Sequence, residues 1–275
     1  MPAQKSMNEG ERGEILIKIR LTEMREKEIA LQEKRVSSVG FPKKNGGFTE
    51  YSLPKSILRP DGKSVDPKIR NFTDGELHVV AGEANIEKAK TCEKSDVYIN
   101  GTGYSVKSVS GAAPALINHT SRPGFERVCK KCDVDIEELD KMVDRYWELR
   151  LKGAIGEDIK NSDMLSPFRD GKKVLVPILR YFLSEGSGSK ETQTPAEYII
   201  EYREAMDEKT WKIMTPEDVI EKMWSKLIFS IRSKKGMPAD YNPQTYKKED
   251  AASIFRWVRE CDGDYRGALH VRLKG

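Results

Sequence analysis

At 275 residues the chain can form one large α/β domain, or one domain with a smaller appendage, around a sizeable core. Charged residues make up 33% and mean hydropathy is −0.64; no apolar run approaches the roughly 18 residues of a membrane span, so no membrane is expected and the cytoplasm is the expected location. A net charge of +4 is too small to demand a polyanionic partner, and Cys92, Cys129, Cys132 and Cys261 do not read as a secreted disulfide framework; Cys129-Lys130-Lys131-Cys132 has the spacing of half a zinc site, with reduced structural thiols as the plainer alternative.

Residues 1–10 read as a polar, disordered tail. From Glu11 a helical pattern runs to about Arg35, with Ile15, Leu16, Ile19 and Met24 on one face and charged residues on the others. Glu11 and Glu14 lie on one side of its first turns, where acids also favour the helix dipole. Residues 41–70 form a Gly/Pro/Lys-rich connector. Glu76 to Val80 reads as a strand or helix edge, and Glu83 to Thr91 as a short helix.

A hairpin follows. Asp96-Val97-Tyr98-Ile99-Asn100 alternates, Gly101-Thr102-Gly103 supplies a turn, and Tyr104 to Val109 alternates again. With Val97, Ile99 and Val106 facing a core, Asp96, Ser105 and Lys107 share the other face, because strand side chains alternate. An acid and a backbone carbonyl, here that of Val106, can hold Mg²⁺ while a lysine steadies a phosphate or an attacking hydroxide. The plain alternative is a surface hairpin in which Asp96 and Lys107 form an ordinary cross-strand ion pair.

After Gly111-Ala112-Ala113-Pro114 comes Ala115-Leu116-Ile117 and a polar tip, Asn118-His119-Thr120-Ser121-Arg122, whose side chains suit phosphates or base edges. From Asp96 to Thr120 the segment resembles the active-site region of type II restriction endonucleases of the PD-(D/E)xK superfamily, HpaII-like branch. Gly103-Tyr104-Ser105-Val106-Lys107-Ser108, Gly111 and Pro114-Ala115-Leu116-Ile117-Asn118 carry the likeness, together with Gly10-Glu11-Arg12-Gly13-Glu14. Two departures stand out: Ser95 replaces the usual proline, and Ser105 replaces the usual second acid. The resemblance implies that Glu14, with Glu11 as the lesser candidate, restores the missing carboxylate beside Asp96.

Further along, Asp133 to Leu151 is an amphipathic helix capped by Asp133 or Asp135, and Lys172 to Leu183 is a helix or buried strand interrupted by Pro177. Ser184 to Ser189 reads as the most flexible stretch, a hinge or subdomain boundary. Ala196 to Tyr202 and Leu227 to Arg232 read as strands, Lys248 to Arg259 as a helix, and Gly267 to Lys274 as a last strand with His270, Arg272 and Lys274 on its polar face. Between Lys226 and Lys248 six basic residues face one acid, a local excess of five that includes Arg232, Lys234 and Lys235 and suits phosphate contact.

These readings combine into an α/β fold with a mixed central β-sheet flanked by helices, restriction-endonuclease-like, with a catalytic core over 11–185 and a C-terminal part over 190–275, a possible small subdomain, packed on it. The expected activity is Mg²⁺-dependent, sequence-specific cleavage of double-stranded DNA leaving 5′-phosphate and 3′-hydroxyl ends. Asp96, Ser105, Lys107 and Glu14 are the catalytic candidates; Asp96, Val106 and Glu14 the metal ligands; Ser108, Asn118, His119, Arg122, Arg232, Lys234 and Lys235 the DNA contacts. Ser105 would hydrogen-bond water or phosphate in place of the usual acid. Two such sites are needed for a double-strand break, through a homodimer or sequential nicks, and a restriction enzyme implies a cognate DNA methyltransferase as a functional partner. The alternatives are a structure-selective repair or junction nuclease and a non-catalytic DNA-binding protein.

Overall fold

The computed structural model describes residues 6–54, 72–90, 93–109, 115–233, 242–247, 249 and 251–273. In chain order, the elements are α1 (Glu9–Glu26), β1 (Ala30–Leu31), β2 (Lys34–Arg35), β3 (Val39–Pro42), β4 (Phe48–Glu50), α2 (Asp74–Glu83), β5 (Val97–Ile99) and β6 (Thr102–Ser108). Next come β7 (Ala115–Ser121), α3 (Arg122–Lys131), α4 (Ile136–Leu151), β8 (Ile159–Lys160) and α5 (Lys172–Ser184). The order closes with β9 (Tyr198–Tyr202), β10 (Lys212–Met214), α6 (Pro216–Met223), β11 (Leu227–Arg232), α7 (Ala251–Phe255), β12 (Arg259–Cys261), β13 (Asp264–Arg266) and β14 (Ala268–Leu273). The protein is mixed α/β, and its larger sheet is mixed. Two compact units divide it: Met1–Gly111 with Gln193–Thr215, and Ala112–Thr192 with Pro216–Gly275. The 190–275 segment therefore contributes to both units.

The first unit is built on a six-stranded sheet in the order β10-β9-β6-β5-β3-β4, in which β6 and β9 run parallel and every other pair is antiparallel. Helix α1 starts at an Asn8–Glu11 capping box, which satisfies backbone donors that a helix N-terminus leaves open. It ends nine residues short of Arg35, because Glu28 turns into positive φ and Ala30 to Arg35 fold into the β1–β2 hairpin around Gln32 and Glu33, both also at positive φ. The charged residues expected on its solvent face are partly inside: Lys18 and Glu23 are buried along with Ile15, Ile17, Ile19, Leu21 and Met24. Helix α2 is continuous from Asp74 and capped by Thr73 and Glu76, so the strand-or-helix edge at Glu76 is its first turns, and residues 84–90 are not helical.

The second unit carries a four-stranded antiparallel sheet, β7-β14-β11-β8. Asp135 caps α4, which buries Leu139, Val143, Tyr146 and Leu149 as its periodicity predicts. Pro177 sits within α5 without ending it; Leu175, Ile178, Leu179 and Phe182 are buried along that helix. The polar tip is not a loop: Asn118 to Ser121 finish β7, and Arg122 and Pro123 open α3, where a proline in the first turn forfeits no intrahelical bond. Nor is the Gly/Ser stretch a slack hinge. Ser187 N–H donates to the Lys190 carbonyl at 2.8 Å, Thr192 N–H donates to that of Glu185 at 2.8 Å, and Gly186 bridges Glu191. Of the expected helix from Lys248 to Arg259, Ala251–Phe255 form α7 and Lys248 and Asp250 lie outside the described residues; Trp257 follows α7 fully buried.

Candidate active site

Both Asn100 (φ +52°) and Gly101 (φ +81°) adopt positive φ, the backbone of a tight two-residue hairpin turn. The turn is thus one residue earlier than Gly101 to Gly103. Asn100 fixes it from outside by accepting from the Ser37 and Ser38 N–H groups and donating to the Arg35 carbonyl. The resulting register sets Ile99 opposite Thr102 and Val97 opposite Tyr104, and Asp96 N–H donates to the Tyr104 carbonyl at 2.8 Å. Asp96 therefore reaches β6 beside Ser105 and Val106.

Its carboxylate is held there. Oδ2 accepts from the Ser105 hydroxyl at 3.0 Å and from Val106 N–H at 2.6 Å. Lys107 Nζ lies 3.9 Å from the same oxygen, with the lysine side chain 45% exposed and the aspartate 16%. A lysine that distant and solvated does not orient the acid; β6 does, through charge-assisted hydrogen bonds. Among the described residues Oδ1 has no hydrogen-bonding partner. Because the N–H and C=O of a strand residue point to the same edge, the Val106 carbonyl faces Asp96 rather than β9. Asp96, Val106 and Lys107 thus come together as the alternation requires. Ser105 has a different place from the one expected: buried and donating to Asp96, it positions the acid instead of meeting water or phosphate.

Ser95, in the position where the likeness has proline, is fully buried and donates to the Pro195 carbonyl at 2.5 Å, anchoring the start of β5 to the segment that leads into β9. Gly103 leaves the space this contact needs: a Cβ there would lie 2.3 Å from Ser95 Oγ and 2.4 Å from the Pro195 carbonyl oxygen.

Of the two N-terminal glutamates, Glu11 is spent on the capping box and on an ion pair with Lys88. Glu14 is 12% exposed; its Oε1 accepts from Lys18 Nζ at 2.6 Å and from Ala89 N–H at 3.0 Å. Two tyrosine hydroxyls feel its charge together with that of Asp96. The Tyr202 hydroxyl packs over Gly13, 1.7 Å from where a Cβ would be, so only glycine admits it. Burial pushes that hydroxyl up, Ser108 hydrogen-bonds it, and the charges of Glu9, Glu14 and Asp96 add to the upward shift. Tyr51, buried in the same unit, is pushed up by burial and then by Glu14, Glu87, Asp96 and Glu93. Both hydroxyls therefore lie in the shared field of Glu14 and Asp96.

The sequence reading missed one cation. Lys94, two residues before Asp96, has its amine pulled down to about 8 by burial and by the neighbouring charge of Lys107. Alternation across Lys94 and Asp96 was the available signal. Removing the second charge with Lys107→Ala should move the Lys94 titration, followed by ¹³C NMR of the lysine side chains, upward from about 8. An unchanged midpoint would mean that the two amines do not share this site.

Among the described residues, no three His, Cys, Asp or Glu side chains form a ready metal cage. The donors at Asp96 are of the kind Mg²⁺ takes, one or two carboxylates and a carbonyl with water filling the remaining positions. Oδ1 of Asp96 and the Val106 carbonyl are donors of that kind, and so is the Oε2 of Glu14, which has no hydrogen-bonding partner among the described residues.

The expected DNA contacts are scattered. Ser108 ends β6 and bonds Tyr202. Asn118, exposed on β7, belongs to the second unit. His119, at φ +40°, stacks on His270 with centroids 4.7 Å apart, and its Nδ1 lies 3.1 Å from the Ser233 carbonyl oxygen. His270 is accordingly buried, not on an open polar face, and burial followed by His119, Arg232 and Arg272 lowers it to about 4. Arg122 is no free cation: Asp140 takes it through Nε at 2.9 Å and Nη2 at 2.7 Å, and Ser253 accepts from Nη1 at 2.9 Å. Arg232 pairs with Glu157 and Asp158. Lys234 and Lys235 lie outside the described residues. Cys129 is buried, its thiol pushed up to about 12 by burial, and Cys132 donates to the Pro177 carbonyl.

Searches against protein-family models, curated proteins and solved structures find no match for this chain.

Proposed function

We propose that the protein is a Mg²⁺-dependent DNA endonuclease of the type II restriction class. The observation that carries this reading is the Asp96 carboxylate: β6 clamps its Oδ2 through the Ser105 hydroxyl and Val106 N–H, the Lys107 ammonium lies 3.9 Å from that same oxygen, and Oδ1 has no hydrogen-bonding partner among the described residues. An ordinary cross-strand ion pair needs no such clamp. Helix α1, the antiparallel run β3-β5-β6 and the parallel partner β9 are the basis on which we assign a restriction-endonuclease-like core to the first unit.

In this reading Asp96 and the Val106 carbonyl would hold Mg²⁺, with Glu14 as a further carboxylate, and the ion would supply positive charge that offsets the charge of the phosphate under attack. Lys107 steadies the incoming hydroxide and offsets charge as it builds on the phosphate. Ser105 keeps Asp96 oriented, and Lys18 does the same for Glu14. Water gives up one proton to solvent and its oxygen attacks phosphorus, the bond from phosphorus to the 3′-oxygen breaks, and that oxygen leaves with a proton from solvent, giving 5′-phosphate and 3′-hydroxyl ends.

Incubation with phage DNA and Mg²⁺ tests the assignment, and discrete fragments are the expected product. Nicks confined to junctions or flaps would instead indicate a repair nuclease. Intact DNA that nevertheless shifts in a gel would leave only a binding protein and end the catalytic reading.

A further inference from the structure

A cavity of about 530 Å³ opens in the first unit between the β3–β4 hairpin and the segment from Gly82 to Glu93. Tyr51 lines it, and Ala89, also in the lining, donates its N–H to Glu14 Oε1 at 3.0 Å, so the cavity borders the glutamate of the candidate active site. Phe41 and Ile86 line it with apolar surface, and the charged residues of its lining are Lys43, Lys44, Lys88 and Lys90 with Glu87 and Glu93. Lys88 is committed to Glu11; among the described residues no carboxylate pairs with Lys43, Lys44 or Lys90.

We infer that this cavity takes a single unpaired nucleotide of the DNA strand, next to the phosphate that faces Asp96. The inference rests on the nuclease reading above. Size points to this occupant: the volume falls within the roughly 300–1,000 Å³ of pockets that enclose a small molecule, far below what a duplex needs, so a base must leave the stack to enter. Charge points the same way, since lysines at the mouth suit the phosphates on either side of that nucleotide. The chemistry inside narrows the choice further. Glu87 and Glu93 are acceptors, and the two-proton exocyclic amine of cytosine offers them more than the single N3–H of thymine.

Gly82 provides a test that leaves the fold alone. It lies on α2 within the cavity lining, and a Cβ there would meet nothing within 4 Å, so Gly82→Trp adds bulk at the cavity wall without displacing a neighbour. Fluorescent single strands of oligo-dC and oligo-dT, each about twelve nucleotides long, are titrated into the full-length protein without Mg²⁺. The dC strand is expected to bind about fivefold more tightly than dT. Gly82→Trp is expected to erase that preference, and Lys43→Glu with Lys44→Glu to weaken both strands about tenfold and flatten the salt dependence. Equal binding of the two strands, unaltered by Gly82→Trp, would overturn the inference. Phage DNA cut normally by the cavity variants would sink it while sparing the nuclease reading; cavity-dependent binding without any cutting would do the reverse.

Discussion

Lys107→Ala is expected to lower DNA cleavage about a thousandfold while changing DNA affinity and thermal stability little. The lysine stands 3.9 Å from Asp96 and is 45% exposed, so as a structural ion pair it contributes well under about 1 kcal/mol. Its value lies in charge that is useful only when the phosphate becomes more negative. Asp96→Asn should match that loss for a different reason: the amide preserves the shape of the carboxylate but removes the charge a divalent ion requires. Comparing rates under single-turnover conditions with affinities from gel shifts separates the two quantities. Cleavage at the original rate by Lys107→Ala would remove the proposed chemistry altogether.

Asp140→Ala should destabilise the protein by about 3–5 kcal/mol, measured by chemical denaturation. Asp140 is 5% exposed and gathers three donors: two from Arg122 and the indole N–H of Trp257 at 2.6 Å. Without it a largely buried guanidinium loses its counter-charge, and a fully buried indole loses its acceptor. Asp140→Asn retains an acceptor and should cost less. Replacing both partners, with Arg122→Met and Asp140→Leu together, should recover part of the loss, because an apolar pair leaves no charge stranded. Equal stability of Asp140→Ala and the original protein would show that Arg122 has no need of this partner.

Strand alternation was enough to find the hairpin and to put Asp96, Ser105 and Lys107 on one face, since that geometry has period two and tolerates no slippage once Val97 and Ile99 are buried. The turn was displaced by one residue because Asn100, not only glycine, takes positive φ. Other features depend on partners distant in sequence. Nothing in the local pattern says that Lys18 is fully buried, because the reason is Glu14 on its own helix together with the Glu87 carbonyl 69 residues away. Arg122 has the look of a surface cation until Asp140 takes it. Likewise, the Gly/Ser stretch has a linker's composition, yet its backbone closes on itself through Thr192 and Lys190.

Strand β6 pairs Tyr104 with Tyr198, two residues separated in sequence by residues 112–192 of the second unit. On the ribosome, the acid cradle can assemble early, because Asp96 and Val106 belong to one local ribbon. The other flank of β6 must wait until residues 198–202 have been synthesised, and the Tyr202 ring that seals Gly13 arrives with them. A nascent chain halted before that point would carry a formed carboxylate clamp on an open strand edge, the kind of edge that recruits neighbouring chains. Translation speed across the intervening segment thus becomes a determinant of yield.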